Sequence, residues 1–286
     1  MEMPRLIILV APPGAGKTTY AEKLVSKNDY MVRLSSDSIR EMLYGDESIQ
    51  GDPSEVFSVM NKKAVEHLHN GKTVIYDATN MSRKDRAEII HVCPKYVKTE
   101  AHIIWQPIEV LIERDSLRER SVGKEVIDRM LKRFQAPYYD EGFDVVLIVR
   151  EGIRNAKYKI KLDTDMKIPH DNPHHTLNIY EHCLEAMLGV RGSDHELMMA
   201  ARYHDIGKPY VKAFVDSNGN PCEHAHYYQH QCVGAWMSYG ITNDPKTAWL
   251  ISTHMEPFLG TKYYRNLPPF LKKDIDLLHE ADKEAH

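Results

Sequence analysis

In the first half of the chain, apolar positions gather into short runs separated by longer amphipathic stretches. Arg5 to Val10 is almost wholly apolar and strand-sized, which reads as a buried strand. Met31–Leu34, Thr73–Tyr76, Ala101–Trp105 and Val145–Val149 repeat the signal. Between them, Lys17–Lys27, Ser54–His69, Ser82–Val92, Ile108–Glu119 and Lys124–Phe134 carry the spacing of helices. Strands alternating with helices predict a parallel sheet covered on both faces.

Beyond residue 150 the rhythm changes. Residues 150–172 are polar and end in a cluster of Pro169, Asp171, Asn172 and Pro173. Helical patterns then dominate, at Leu177–Leu188, His195–Tyr203, His230–Ser238, Pro245–His254 and Phe270–His279. A turn at Asn218-Gly219, after Val211–Val215, predicts one small hairpin among them. The pattern therefore sets an α/β domain over residues 1–150, a linker over 151–169 and an all-α domain with a hairpin over 170–286.

A chain of 286 residues accommodates two such domains. Its 42% apolar and 27% charged residues are a globular balance. No apolar run approaches the roughly 20 residues of a spanning helix, and no signal peptide is visible, so a cytoplasmic protein without a membrane segment is expected. The net charge of -4 excludes a generic polyanion-coating protein but not an enzyme that grips one strand end. The four cysteines show no C-x-x-C pairing and read as small buried residues in a reducing setting. Histidine is unevenly spread: four of 16 precede residue 150 and twelve follow it, which points to two domains with different chemistry.

The run Ala11-Pro12-Pro13-Gly14-Ala15-Gly16-Lys17-Thr18 follows the first strand and opens a helix. It fits the phosphate-cradling pattern G-x-x-x-x-G-K-[ST] except at its first position, where Ala11 stands. Gly14, Ala15 and Gly16 would close backbone N–H groups on ATP phosphates, joined by Thr19 in the first helical turn. Lys17 would add a point charge and the Thr18 hydroxyl a ligand for Mg²⁺. Asp37 follows the second strand, where a carboxylate can take a proton from an attacking hydroxyl, and Arg40 could hold an acceptor phosphate. The plainer alternative is a helix cap, since Ser38 and Glu41 have capping-box spacing. Asp77 ends the third strand, suited to orienting Mg²⁺ or pairing with Arg40, and Thr79 and Asn80 follow it. Arg114 and Arg118 share a helix face, either as lid cations for a transferring phosphate or as a solvated basic face.

In this order and spacing, these residues resemble the kinase domain of phage-type polynucleotide 5′-hydroxyl kinases, over roughly residues 1–150. The resemblance implies Asp37 as general base, Arg40 on the acceptor's phosphate and Arg114 and Arg118 on the donor. It also implies that Asp77, Thr79 and Asn80 brace the substrate.

In the second half, His204-Asp205 forms a pair that suits Mn²⁺, Fe²⁺, Co²⁺, Ni²⁺ or Zn²⁺. His182 lies 22 residues before His204, His230 lies 25 after Asp205, His254 a further 24 on, and Asp282 a further 28. Each interval is about one helix plus its connection, so ligands on successive helices can point to one site. With Tyr180-Glu181-His182 and Ile206-Gly207-Lys208, the string resembles the two-metal branch of the HD phosphohydrolase superfamily over about residues 170–286. That resemblance implies two ions. His182, His204, Asp205 and Asp282 would hold one, His230 and His254 would complete the second, and Asp205 would bridge them. Lys208 would neutralise the attacked phosphate, and His175 and His226 would line the pocket. Asp282 is the fifth residue from the end of the sequence, counting itself, so its place depends on a helix from about Asp274.

Together the two halves are similar to bifunctional HD–polynucleotide kinase proteins that heal RNA ends. The implied reactions are ATP-dependent phosphorylation of a 5′-hydroxyl and metal-dependent removal of a 2′,3′-cyclic, 2′- or 3′-phosphate. Partners would be RNA or DNA strand ends, with a separate ligase acting downstream. Two alternatives stay open: a nucleoside or metabolite kinase fused to an HD nucleotide phosphohydrolase, and a nucleotide sensor without turnover.

Overall fold

The computed structural model describes residues 3–150, 155–172 and 176–285. They pack as two compact units, one built from residues 3–123 and 137–150, the other from 124–136 and the described residues after 150.

The first unit runs β1 (Arg5–Val10), α1 (Lys17–Val25), β2 (Met31–Ser35), α2 (Ser36–Tyr44), α3 (Pro53–His69), β3 (Thr73–Asp77), α4 (Arg83–Val92), β4 (Lys98–Trp105), α5 (Ile108–Ser116) and, after residue 136, β5 (Val145–Arg150). The five strands form one parallel sheet in the order β2-β3-β1-β4-β5. Because helices cover both faces, β3 is buried at every residue and β1 from Leu6 onward, so the strands read as apolar runs rather than alternations. The register pairs Ser35 with Asp77 and Ile8 with Tyr76, which sets the carboxyl ends of β1, β2 and β3 side by side. Open α/β sheets bind ligands at that edge. Helix α2 begins there directly after β2, capped by Ser35, whose hydroxyl accepts from Ser38 N at 3.0 Å. Ser38 lies inside the helix and donates to Ser35 O, so the cap sits three residues before the one expected at Ser38.

The second unit contains α6 (Lys124–Leu131), α7 (Asn155–Asp165), α8 (Ile179–Gly189), α9 (His195–Tyr203), α10 (Lys208–Val211), the hairpin β6 (Ala213–Val215) and β7 (Pro221–His226), α11 (His230–Thr242), α12 (Pro245–Thr253), α13 (Glu256–Leu259), α14 (Lys262–Asn266) and α15 (Pro269–Glu284). The hairpin is antiparallel, and the Asp216 side chain accepts from the backbone N–H of Asn218 and Asn220 to hold its turn. Trp236, Tyr239, Trp249, Tyr203 and Leu278 are fully buried in the helical core.

Two segments differ from the sequence pattern. Helix α6 continues the strand–helix alternation but packs in the second unit. Its Ile127 and Leu131 are buried, and Phe134 just after it sets its ring edge against Trp236 and Tyr239, at 5.4 and 6.1 Å. Order along the chain does not encode that choice of partner. Residues 155–165, expected to be linker, form α7. Tyr158, Leu162 and Met166 recur every fourth residue and are buried, a stripe too thin to stand out in a polar stretch.

Candidate active sites

In the first unit, the loop from β1 to α1 turns through Gly14 at φ 80°. A Cβ on Gly14 would lie 2.3 Å from Leu111 O of α5, so only glycine fits this close approach. Lys17 donates to Ala11 O and Pro12 O at 3.0 and 3.2 Å. Burial pushes its ammonium down to about 8; Arg118 pulls the same way, while Asp77 and Asp37 oppose. Thr18 and Thr19 are exposed in the first turn of α1. The Arg114 guanidinium reaches over the loop, 3.9 Å from where a Gly16 Cβ would sit.

Arg118 is half exposed, with Nη1 3.7 Å from Asp115 Oδ1. Asp115 is buried, and its other oxygen accepts from Ser121 Oγ, Val122 N and Gly123 N at 2.7, 3.0 and 3.0 Å. One carboxylate thus anchors the segment that carries Arg118 and Arg120.

Asp37 is 65% exposed and pairs with Arg40 at 2.8 Å. Asp77 is buried and its partner is Arg33, not Arg40: Arg33 Nε and Nη2 each lie 2.8 Å from Asp77 Oδ2. Arg33 Nη2 also lies 3.4 Å from Thr18 Oγ1. Asn80, expected on substrate, is buried at φ 49° and directs its amide to Leu9 O and Ala78 O at 2.7 and 3.2 Å. It ties the end of β3 to β1, and Thr79 O does the same by accepting from Ala11 N at 3.1 Å. An exposed threonine hydroxyl, a carboxylate bridged to it by Arg33 and a lysine at a helix start form a donor set that fits a magnesium nucleotide.

In the second unit, five helices bring six side chains together. His182 comes from α8, His204 and Asp205 follow α9, His230 starts α11, His254 follows α12 and Asp282 lies on α15. One group comprises His182, His204, Asp205 and Asp282, the other Asp205, His230 and His254, each with ligand atoms within 4.8 Å of one another. His182 Nε2 is 2.9 Å and His204 Nε2 3.1 Å from Asp282 Oδ1. His230 Nε2 is 3.2 Å from both His254 Nε2 and Asp205 Oδ1.

Tautomer chemistry tests whether this set suits a cation. The four imidazoles place Nδ1 against carbonyl oxygens: Ala285 for His182, Ala201 for His204, Tyr227 for His230 and Ile251 for His254, all at 2.8 or 2.9 Å. A carbonyl only accepts, so each Nδ1 must donate. Each neutral ring then turns a bare Nε2 lone pair inward. Lone pairs and carboxylates converging at about 3 Å repel unless a cation lies among them, and backbone carbonyls that accept from Nδ1 are the usual outer partners of metal-ligating imidazoles. His204 and His254 also sit at helix C-termini, where the backbone dipole favours positive charge.

The electrostatics agree. Burial holds His254 down to about 3, helped by His230 and His204, so it stays neutral. Burial opposes charge on Asp205, yet Lys208 and His204 keep its carboxyl well below the usual range. Burial likewise opposes charge on Asp282, and His204 and His182 outweigh it. Burial also disfavours charge on His204, but Cys183, Asp205 and Asp282 push it well above its ordinary value, so the negative charge around this ring favours a cation. Lys208 Nζ lies 2.6 Å from Asp205 Oδ2.

A close backbone approach sets this geometry. A Cβ on Gly207 would meet His230 O at 2.1 Å and Gly234 N at 2.7 Å, so the turn after Asp205 lies directly on α11.

Residues 6–137 match the AAA domain family, and residues 174–283 match the HD domain family. A P-loop kinase-type domain is joined to an HD domain. The chain is 25% identical over 150 residues to transcription factor bHLH140 of Arabidopsis thaliana, a match covering 50% of this chain and 15% of that protein. It is 26% identical over 169 residues to L-seryl-tRNA(Sec) kinase of Methanococcus maripaludis, covering 57% of this chain and 65% of that one. Among solved structures, the Pnkp1/Rnl/Hen1 RNA repair complex is 28% identical with a TM-score of 0.43, covering 50% of this chain and 47% of that one. The chain thus spans less than two thirds of each of these relatives.

No helix among the described residues is long and apolar enough to cross a membrane. In the HD domain, sequence reasoning missed His170, which is buried with Nε2 3.9 Å from Asp205 Oδ2 and its ring edge against His182 at 5.4 Å. It also missed Tyr227, whose hydroxyl donates to His170 O and whose ring lies 5.4 Å from Lys208 Nζ. Neither has a motif around it. His226 stacks on Tyr228 at 5.3 Å, while His175 lies outside the described residues. In the P-loop domain, Arg33 and Asp115 were missed. A lone arginine inside an apolar strand was the one available signal for Arg33.

Proposed function

We propose that the chain is a bifunctional end-healing enzyme: it phosphorylates a 5′-hydroxyl polynucleotide end with ATP and removes a 2′,3′-cyclic, 2′- or 3′-phosphate at a metal-dependent site. The observation that carries this reading is that one chain holds both an exposed carboxylate, Asp37, paired with Arg40 beside a P-loop and two ligand groups that share Asp205. The match to a kinase named for a tRNA-borne substrate supports an RNA acceptor.

In the kinase half, Asp37 takes the proton of the attacking hydroxyl while Arg40 grips the acceptor's phosphate. Lys17, Arg114 and Arg118 stabilise charge on the transferred phosphoryl group, and Thr18 and Asp77 hold Mg²⁺ with the donor. In the phosphohydrolase half, His182, His204, Asp205 and Asp282 hold one divalent ion, and Asp205, His230 and His254 a second. Such ions supply Lewis acidity to a phosphate ester when bound. Lys208 neutralises a phosphate oxygen, and the carbonyl contacts on Nδ1 keep the four imidazoles in the ligating tautomer. A ligase would act on the healed ends.

The test is the intact mass of a short RNA carrying a 5′-hydroxyl and a 2′,3′-cyclic phosphate, after incubation with protein, ATP, Mg²⁺ and Mn²⁺. A gained 5′-phosphate with an opened or lost terminal phosphate establishes end healing. Unchanged RNA, with ATP consumed when nucleosides are offered, moves the protein to small-molecule phosphotransfer.

A further inference from the structure

Arg33 breaks the apolar pattern of β2, between Val32 and the buried Leu34, in register with Ile75 of β3. Its guanidinium spans three elements. Nε and Nη2 each meet Asp77 Oδ2 at 2.8 Å at the end of β3, Nη2 lies 3.4 Å from Thr18 Oγ1 on α1, and Nη1 lies 3.8 Å from the Glu22 carboxylate on the same helix. Thr18 and Asp77 are the two groups on the metal side of the nucleotide in the reading above, and Arg33 is what joins them.

We propose that Arg33 is a positioning residue for magnesium–nucleotide binding: it fixes the Asp77 carboxylate and the Thr18 hydroxyl in one place before the nucleotide arrives. A buried carboxylate without a partner is free to turn between rotamers. Two N–H groups of one planar fork on a single oxygen set its orientation, which a lysine's point charge cannot do. Groups already aimed at the ion need no rearrangement when it binds, and that saving appears as affinity for the magnesium complex. The proposal rests on the P-loop being a nucleotide site and not on what the acceptor is.

The experiment uses the full chain and its Arg33→Lys and Arg33→Ala variants. ATP binding is measured calorimetrically in EDTA and across a Mg²⁺ titration, with thermal melting as the folding control. Arg33→Lys keeps the charge but loses the fork. It should leave ATP affinity in EDTA within about twofold and raise the Mg²⁺ needed for half-maximal ATP affinity about tenfold, as for a lost charged hydrogen bond. Arg33→Ala should raise it at least as far.

A wild-type Mg²⁺ requirement in both folded variants overturns the proposal, and so does a lowered one, which would make Arg33 a competitor of the ion. Equal loss of ATP affinity with and without Mg²⁺ also overturns it, since a merely structural role would do that. Failure of the wild-type chain to bind ATP would overturn the nucleotide-site reading itself, a result distinct from any of these.

Discussion

Asp205 meets His230 Nε2 with Oδ1 at 3.2 Å and His204 Nε2 with Oδ2 at 3.3 Å, so one carboxylate faces both ligand groups of the HD domain. Asp205→Asn preserves its shape but removes the charge that, in the proposed function, would let it serve two ions. Bound divalent metal should fall from two ions per chain to one or none. Release of a 3′-terminal phosphate should fall on the order of 100-fold or more. ATP-dependent phosphorylation at Lys17's site should stay within about twofold, because the mutation lies in the other compact unit. Metal analysis of the desalted protein and separate assays of the two RNA ends check this. Two ions retained in the variant would remove Asp205 from a shared position.

Gly207→Ala tests how that position is built. The added methyl would meet backbone atoms of α11, His230 O at 2.1 Å and Gly234 N at 2.7 Å, and backbone cannot swing away as a side chain can. The expected cost is about 1–3 kcal/mol of stability in urea unfolding, with weaker metal binding because His230 moves. The sign is informative: at a position with room to spare, glycine to alanine at negative φ would stabilise by about 0.4–1 kcal/mol.

How far the sequence carried depends on what each residue's role is made of. The P-loop is local, a strand, a glycine turn and a helix in one run, so Gly14 to Thr18 were legible. His182, His204, His230 and His254 were legible because each stands about one helix from the next. Helix α6 was seen, but its partner was not, since Phe134 could face a sheet or Trp236 with the same local pattern. Asn80 carries a role its sequence neighbours did not suggest: its place after Asp77 suggested substrate contact, and in the fold a left-handed backbone turns its amide toward Leu9 O, tying β3 to β1. Arg33, Asp115 and His170 act through residues 44, 6 to 8 and 35 positions away, which no short motif records.

Asp115→Ala removes the shared acceptor of Ser121 Oγ, Val122 N and Gly123 N. The segment carrying Arg118 then loses its anchor while the arginine itself remains. The kcat of ATP-dependent phosphorylation should fall about tenfold, the size of effect expected from a misplaced catalytic group. The KM for ATP should move less, and limited proteolysis should cut residues 117–123 sooner. Unchanged cleavage would show that something other than this carboxylate holds the segment.

Lys17 gives ATP binding a pH dependence of definite sign. Burial, with help from Arg118, pushes its ammonium down to about 8 in the nucleotide-free protein. The phosphates of a bound nucleotide favour the charged form and raise it again. Below about pH 7 the ammonium is charged in both states, and affinity should not depend on this group. Above pH 8 the free protein has lost the proton and must regain it on binding. Affinity should then fall by up to about tenfold per pH unit until the pKa of the bound state is reached. Calorimetry at pH 8 to 9 in two buffers of different ionisation enthalpy should register proton uptake, absent at pH 6.5. Lys17→Arg keeps its charge throughout and should flatten the profile even where it weakens binding. A wild-type affinity that holds constant from pH 7 to 9, with no proton uptake, would mean that Lys17 does not meet the nucleotide's phosphates.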